Sequence, residues 1–288
     1  MQELKQYHKH HKLFLVLGGC IVIYLLLRTY FIDITDDEAW SFYNVKHFWY
    51  VEALCTGNTH WFNFAAIKAV LLFDLEATWQ IRWFSVICAI AFLIVGYNWI
   101  KSINKLELKW FAFTCVFLNP YVLEYLTLAR GYSQALCFQS LSILLLIQSI
   151  IKADKKWVSF YALMFAGFSA IASFNFLYFF VAFAGVYFYH FYFKRGFGFL
   201  KSIRFYIDSF YVITIILLVL RALWFIKECS NDIADFGGND FVLSLFYSYW
   251  DTLVYGNFII PVALKTGLAY ALFSFIVCAV LFGIVKYK

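Results

Sequence analysis

Charged side chains are scarce in this chain, at 14% of its 288 residues, against roughly 25% in soluble domains. Proline is scarcer, with two in the whole length, and no polar low-complexity stretch occurs. These absences exclude a soluble globular domain and a long flexible linker. The seven cysteines show no CxxC or other metal-ligand spacing, which argues against the common zinc and thiol-redox frameworks. No small-residue cleavage site follows the first apolar run, so that run reads as a span rather than a signal peptide.

What fills the chain instead is apolar and aromatic. Hydrophobic residues make up 64% and aromatics 23%, with a mean hydropathy of +0.76. The fold class expected is an all-α integral membrane protein, its 10 Trp and 21 Tyr abundant enough for both interfacial belts. Spans of about 20 apolar residues are expected at 13–32, 79–100, 110–127, 132–151, 157–174, 176–193, 205–226 and 259–285, eight in all. The uncharged stretch 157–193 is long enough for two and divides at Ser173–Asn175, its most polar point. Residues 61–73, interrupted by Asn63 and Lys68, read as an amphipathic surface helix rather than a crossing.

Eight spans with both termini cytoplasmic place most basic residues inside, among them Lys101, Lys105, Lys109, Lys152, Lys155 and Lys156. Counting 61–73 as a span would move the first three outside, against the positive-inside tendency. Most acids then fall on the other side, the exceptions being Glu3, Glu107, Asp154 and Asp208. The net charge of +6 thus reports topology in a cell (inner) membrane, not nucleic-acid binding. The outer face is acidic and is where chemistry is expected. The chain reads as one membrane domain, 1–288, with extracytoplasmic loops at 33–78 and 227–258. Cysteines within spans read as small apolar packing residues, and Cys55 and Cys229, both expected outside, could pair. The N-terminal KQYHKHHK suits a basic anchor beside anionic lipid.

The sequence is organised around Asp33-Ile34-Thr35-Asp36-Asp37-Glu38, where the chain leaves the first span. Thr35 with Glu38 three residues on is a capping-box pattern, so a helix should start here. Asp36 and Asp37 then fall in its first turn, where unpaired N–H groups favour the ionised form. Such a cluster could hold a cation, take a proton, or serve only as helix-start chemistry. The aromatic stretch 36–54 suits a helix at headgroup level. Beyond it, His60 stands at the start of the second surface helix, as a hydrogen-bonding residue or a ligand. Lys68 either snorkels or meets an anion, and Arg82 lies at the junction with the second span. The third span ends at Leu118-Asn119-Pro120 and is followed by YVLEYLTLARGYSQ. Arg130, close to the fourth span, is a functional candidate by its depth, or an ion-pair partner of Glu124. In the last loop Gly237-Gly238 marks a turn that could present N–H groups to a phosphate, followed by an expected surface helix at 241–255.

Three stretches together, TDDEAW after the first span, NTHWFNFAAIKAVLLF leading through EATWQIRWFSV into the second, and NPYVLEYLTLARGY after the third, resemble membrane glycosyltransferases of the GT-C superfamily. That group includes protein mannosyltransferases and lipid A aminoarabinose transferases. The resemblance covers roughly residues 10–150 and implies a GT-C-like bundle. It implies transfer of a sugar from a polyprenyl-phosphate carrier to a lipid, glycan or protein acceptor on the extracytoplasmic side, with inversion at the sugar carbon. Asp37 matches the acidic first-loop residue, with Asp36 and Glu38 as neighbours, and Glu124 the acidic residue after the third span. The sequence departs from the family in carrying His60-Trp61-Phe62 where many members have His-Pro-Pro. Many members also continue beyond the point corresponding to Lys288, so a shortened carboxy-terminal part is expected.

The chemistry asks for an oriented, partly deprotonated acceptor hydroxyl, a role for Asp37 as base or orienter. It also asks for positive charge at the departing phosphate, from Arg130, Lys68, Arg82, or a divalent cation such as Mg or Mn on Asp37 with Asp36 or Glu38. Two other classes compete. A transporter or flippase of a lipid-linked substrate would show broken helices and a polar path, and a scaffold would keep the fold without the chemistry.

Overall fold

The computed structural model describes residues 2–47, 60–103, 105–151, 156–193 and 202–229. Among them every regular element is helical. In chain order these are α1 (Gln2–Phe31), α2 (Asp36–His47), α3 (Trp61–Leu71), α4 (Thr78–Ile81), α5 (Trp83–Ser102), α6 (Leu106–Phe117), α7 (Pro120–Leu126), α8 (Tyr132–Ile151), α9 (Lys156–Ala172), a 3-10 turn (Phe174–Phe176), α10 (Leu177–Phe191) and α11 (Ile203–Cys229). Among the described residues five segments are long and apolar enough to cross a membrane: Lys12–Phe31, Trp83–Lys101, Tyr132–Ile151, Phe174–Phe191 and Ile203–Trp224. The described residues thus have the makeup of an all-α membrane protein. The remainder of the 36–54 stretch, the span expected at 259–285, the helix expected at 241–255, Gly237, Gly238 and the Cys55 half of a Cys55–Cys229 pair lie outside the described residues.

The stretch expected to cross at 110–127 is not one helix. It divides into α6 and α7 at Leu118-Asn119, because the residue before a proline is pushed out of the α region. Pro120 then opens α7 at the first helical position, where its missing N–H costs nothing. Asn119 caps the new helix, its side chain accepting from Val122 N–H at 3.4 Å and its carbonyl from Leu123 N–H at 3.0 Å. The uncharged 157–193 stretch also divides, at Ser173, where the backbone turns extended before the 3-10 turn.

Two apolar cores form, and α8 belongs to both. On one side Phe14, Ile21 and Leu25 of α1 meet Cys88, Phe92 and Leu93 of α5, Phe113 and Phe117 of α6 and Cys137 of α8. On the other, Leu146 of α8 joins Ala162, Leu163 and Ala166 of α9, Phe180 and Tyr187 of α10, and Ile215 and Val219 of α11. Ala162, Ala166 and Ala170 repeat every fourth residue and are fully buried, the small-residue spacing that lets membrane helices approach closely. Across that seam Ser169 Oγ donates to Ala135 O at 3.0 Å. Cys88 and Cys137 are buried, as packing residues should be, whereas Cys20 and Cys115 are exposed. A third, small core of Val45, Phe64, Ile67, Ile81 and Ala129 lies under α2 and α3. It fastens this outer layer to the bundle.

At Gly96 of α5 the Phe117 ring approaches so closely that a side-chain carbon would overlap it. Phe117 is itself buried and has little room to turn aside. Gly96→Ala should cost about 1–3 kcal/mol, as overpacking does, read as a lower melting temperature in detergent. Adding Phe117→Leu should restore part of the loss.

Candidate functional site

A transmembrane helix ends with carbonyl groups that lack intrahelical partners. At the end of α1 and just beyond it, Arg82 supplies those partners. It sits between α4 and α5, 1% exposed. Its Nη1 donates to Thr29 O at 3.2 Å and Ile32 O at 2.7 Å, and its Nη2 to Asp33 O at 2.9 Å. The remaining two N–H groups go to Glu38, Nε to Oε1 at 2.8 Å and Nη2 to Oε2 at 2.5 Å. All five guanidinium donors are thereby engaged in the chain's own structure.

Glu38 is equally committed. Thr35 N–H and Oγ–H both donate to its Oε2 at 3.1 Å, while Glu38 N–H donates to Thr35 Oγ1 at 3.4 Å, closing a capping box at the start of α2. Its Oε1 also accepts from Ala129 N–H at 2.6 Å. One buried carboxylate thus ties the turn after α1, the start of α5 and the turn after α7. Burial alone would raise the Glu38 carboxyl, but Arg82, Ala129 N–H and Thr35 more than offset it, and the group is held below the usual carboxylate range.

The turn at 127–131 is fixed from several directions. Asn63 of α3 donates to Ala129 O. Gln134 is fully buried in α8; with its amide turned so that nitrogen faces the acceptors, it donates to Arg130 O at 2.8 Å and Gly131 O at 3.1 Å and accepts from Ser85 Oγ at 3.2 Å. At Gly131 a side-chain carbon would overlap the Ala172 carbonyl and the His60 ring, so the turn lies directly against the end of α9. Held this way, Arg130 reaches Asp37, Nη1 to Oδ2 at 2.6 Å. The guanidinium side chain is 11% exposed and the carboxylate 45%. Arg130 also lies 5.3 Å from the centre of the Tyr132 ring. Three neighbouring acids therefore have three environments: Asp36 exposed, Asp37 half-exposed against Arg130, Glu38 buried.

The other candidates fall as follows. His60 Nδ1 lies 3.1 Å from Ala172 O. A carbonyl can only accept, so Nδ1 carries the proton and Nε2 presents a lone pair. Burial, then the Arg130 charge, pushes the ring down to about 4, and it is neutral at pH 7. Lys68 donates to Val45 O at 3.1 Å, near the end of α2. Glu124 pairs with Arg28 at 3.2 Å, and Arg28 Nε also donates to Thr127 Oγ1 at 3.1 Å. The alternative of a Glu124–Arg130 pair gives way to these two pairings, Arg28–Glu124 and Asp37–Arg130. Arg28, Asn63 and Gln134 were not singled out for these roles by sequence reasoning. For Arg28 the signal was there, a cation at the end of an apolar run, but for the two amides nothing marked which backbone groups they would meet.

A divalent cation on Asp37 and Glu38 fits this donor set poorly, since each carboxylate already faces a guanidinium. Among the described residues no three His, Cys, Asp or Glu side chains gather to hold a metal ion. Comparison with family models, with curated proteins and with solved structures finds no match for the chain.

Arg82→Met should strand Glu38 as an uncompensated buried charge and cost about 3–5 kcal/mol, read as loss of the folded fraction in a detergent melt. Acid should act in two windows. The unfolded His60 protonates below about 6.5 and the folded ring only near 4, so stability declines as the pH falls between those values. The Glu38 contribution is complete above about pH 4.5 and is lost as the pH drops through the lower folded value. His60→Gln should abolish the upper window and leave the lower one.

Proposed function

We propose that the protein is a membrane glycosyltransferase that moves a sugar from a polyprenyl-phosphate carrier to an extracytoplasmic acceptor. The observation that carries this reading is the Asp37–Arg130 pair, an accessible carboxylate and a sheltered guanidinium at 2.6 Å on two turns clamped together by Glu38. Attack on an anomeric carbon bearing a phosphate needs a group to orient a hydroxyl and a cation for the leaving phosphate. Asp37 accepts the hydrogen bond of the acceptor hydroxyl. As its oxygen bonds to the anomeric carbon, the bond from that carbon to the carrier's phosphate oxygen breaks. The electron pair leaves with the polyprenyl phosphate, facing Arg130, and the hydroxyl proton passes through Asp37 to water. Positioning and charge complementarity supply most of the catalysis. Lys68, exposed on α3, adds positive charge beside the same layer.

An apolar cavity of about 280 Å³ between α3 and the start of α5, lined by Val70, Phe73, Trp79 and Trp83 among others, suits the first prenyl units of such a carrier. In this reading the chain crosses eight times, both termini are cytoplasmic, and α2 and α3 lie on the outer surface. The break between α6 and α7 favours a second reading, a transporter of a lipid-linked substrate, because interrupted helices commonly line transport sites.

Transfer of radiolabelled sugar from polyprenyl phosphate in membranes containing the full chain tests both. Wild type should transfer, Asp37→Asn should lose about 100-fold or more, and Arg130→Lys, which keeps the charge but not the planar fork, should lose less. Equal transfer by wild type and Asp37→Asn would remove Asp37 from the reaction. No transfer by wild type, with uptake of the intact lipid-linked sugar into vesicles, would favour transport.

A further inference from the structure

We propose that the opposite end of the bundle holds a headgroup site for an amine-bearing phospholipid, centred on Asp208. Three helix ends converge there, the start of α9, the end of α10 and the start of α11. This place is distinct from the Asp37–Arg130 turn. From Phe160 to Ala172, where α9 touches His60, the helix covers ~18 Å at 1.5 Å per residue.

Asp208 is fully buried. Its Oδ2 accepts from Tyr187 Oη at 2.7 Å and Tyr192 Oη at 2.5 Å, with Arg204 Nε one turn back at 3.7 Å. Arg204 in turn donates to Ser159 Oγ, and to Tyr187 Oη at 3.4 Å. Two hydroxyls and a guanidinium surround Oδ2, yet Oδ1 is buried with no hydrogen-bond partner among the described residues. Buried polar atoms are almost always satisfied, and an unsatisfied carboxylate oxygen marks a missing donor.

The surroundings say what kind of donor. Asp208 and Arg204 form part of the wall of a cavity of about 260 Å³ otherwise lined by Trp157, Phe160, Ile203 and Ile207. That volume is slightly below the ~300 Å³ at which pockets for whole small molecules begin, but it admits a small headgroup. Trp157 and Ile203 are among the most exposed apolar residues, at 72% and 74%, so the cavity rim belongs to the surface that lipid covers. Asp208 stands ~8 Å along the helix axis from Ile203, a depth that places it near the headgroup boundary. A carboxylate and a guanidinium side by side complement a zwitterion, with an ammonium on Asp208 and a phosphate on Arg204. Ile203, Ile207 and Phe160 meet the acyl chains, and the Trp157 and Phe160 rings add cation–π attraction. Among the described residues Oδ1 lacks a donor, which a primary ammonium on the bound headgroup supplies and a quaternary one cannot.

The test uses the purified full chain in nanodiscs and phosphatidylethanolamine labelled on an acyl chain, against its N-methyl, N,N-dimethyl and phosphatidylcholine counterparts. Binding should weaken by about 10-fold or more at the step that removes the last N–H, as a charged hydrogen bond predicts. This series needs no variant and stands even if a substitution at Asp208 prevents folding. Asp208→Asn should flatten the series, whereas Trp157→Ala, on the exposed rim, should weaken all four lipids together. Equal binding across the series, or a preference unchanged in Asp208→Asn, would overturn the proposal. So would full competition by water-soluble phosphoethanolamine at concentrations matching the lipid, because the site would then not be a lipid site. Sugar transfer is not read in any of these measurements, so failure here leaves the proposed reaction untouched, and the reverse.

Discussion

A buried carboxylate and a buried guanidinium cost several kcal/mol to remove from water and recover it only when every donor and acceptor is used. The Glu38–Arg82 pair meets that condition. Arg82 places all five N–H groups on Glu38 and on carbonyls at the end of α1, and Glu38 accepts in addition from Thr35 and Ala129. Replacing a structural cap, a surface staple and a loop clamp by one ion pair concentrates the arrangement of the outer layer in two side chains. Asp37 and Arg130 meet because their immediate neighbours, Glu38 and Ala129, are joined. The accessible pair inherits its geometry from the inaccessible one.

The same constraint separates support from chemistry among residues that look alike in sequence. Asp36, Asp37 and Glu38 are consecutive acids in one helical turn, and a helix rotates about 100° per residue. One therefore faces the bundle, one the margin, and one water. Arg82 and Arg130 divide likewise, the first wholly occupied by backbone and Glu38, the second set against a half-exposed carboxylate. His60 belongs to the margin. Its proton is placed by Ala172, and its free lone pair lies beside the turn that carries Arg130.

Much of the fold was legible because membrane spans announce themselves by length and hydropathy. The starts of α2 and α8, the division at Ser173 and the helical character of 61–71 follow from capping patterns and local polarity. The hydropathy of 110–127 suits a crossing because hydropathy does not register backbone. Only Asn119-Pro120 carries the break, through sterics and a cap that act over three residues. Pairings were less legible than elements. Glu124 and Arg130 are six apart and suggested each other, yet each found a partner roughly 95 residues away. Those partners were set by how α1 and α2 lie against α7 and α8, which no local spacing encodes. The role of Arg82 was hidden for a related reason, since the carbonyls it meets belong to a helix end about 50 residues earlier.

One helix touches both polar regions of the molecule. At its first turn α9 offers Ser159 to Arg204, and at its last the Ala172 carbonyl to His60. Between them Ala162, Ala166 and Ala170 are fully buried and Ser169 is bonded to the α8 backbone. The Arg204 region and the His60 region are thus anchored to a single helix, one at each of its ends.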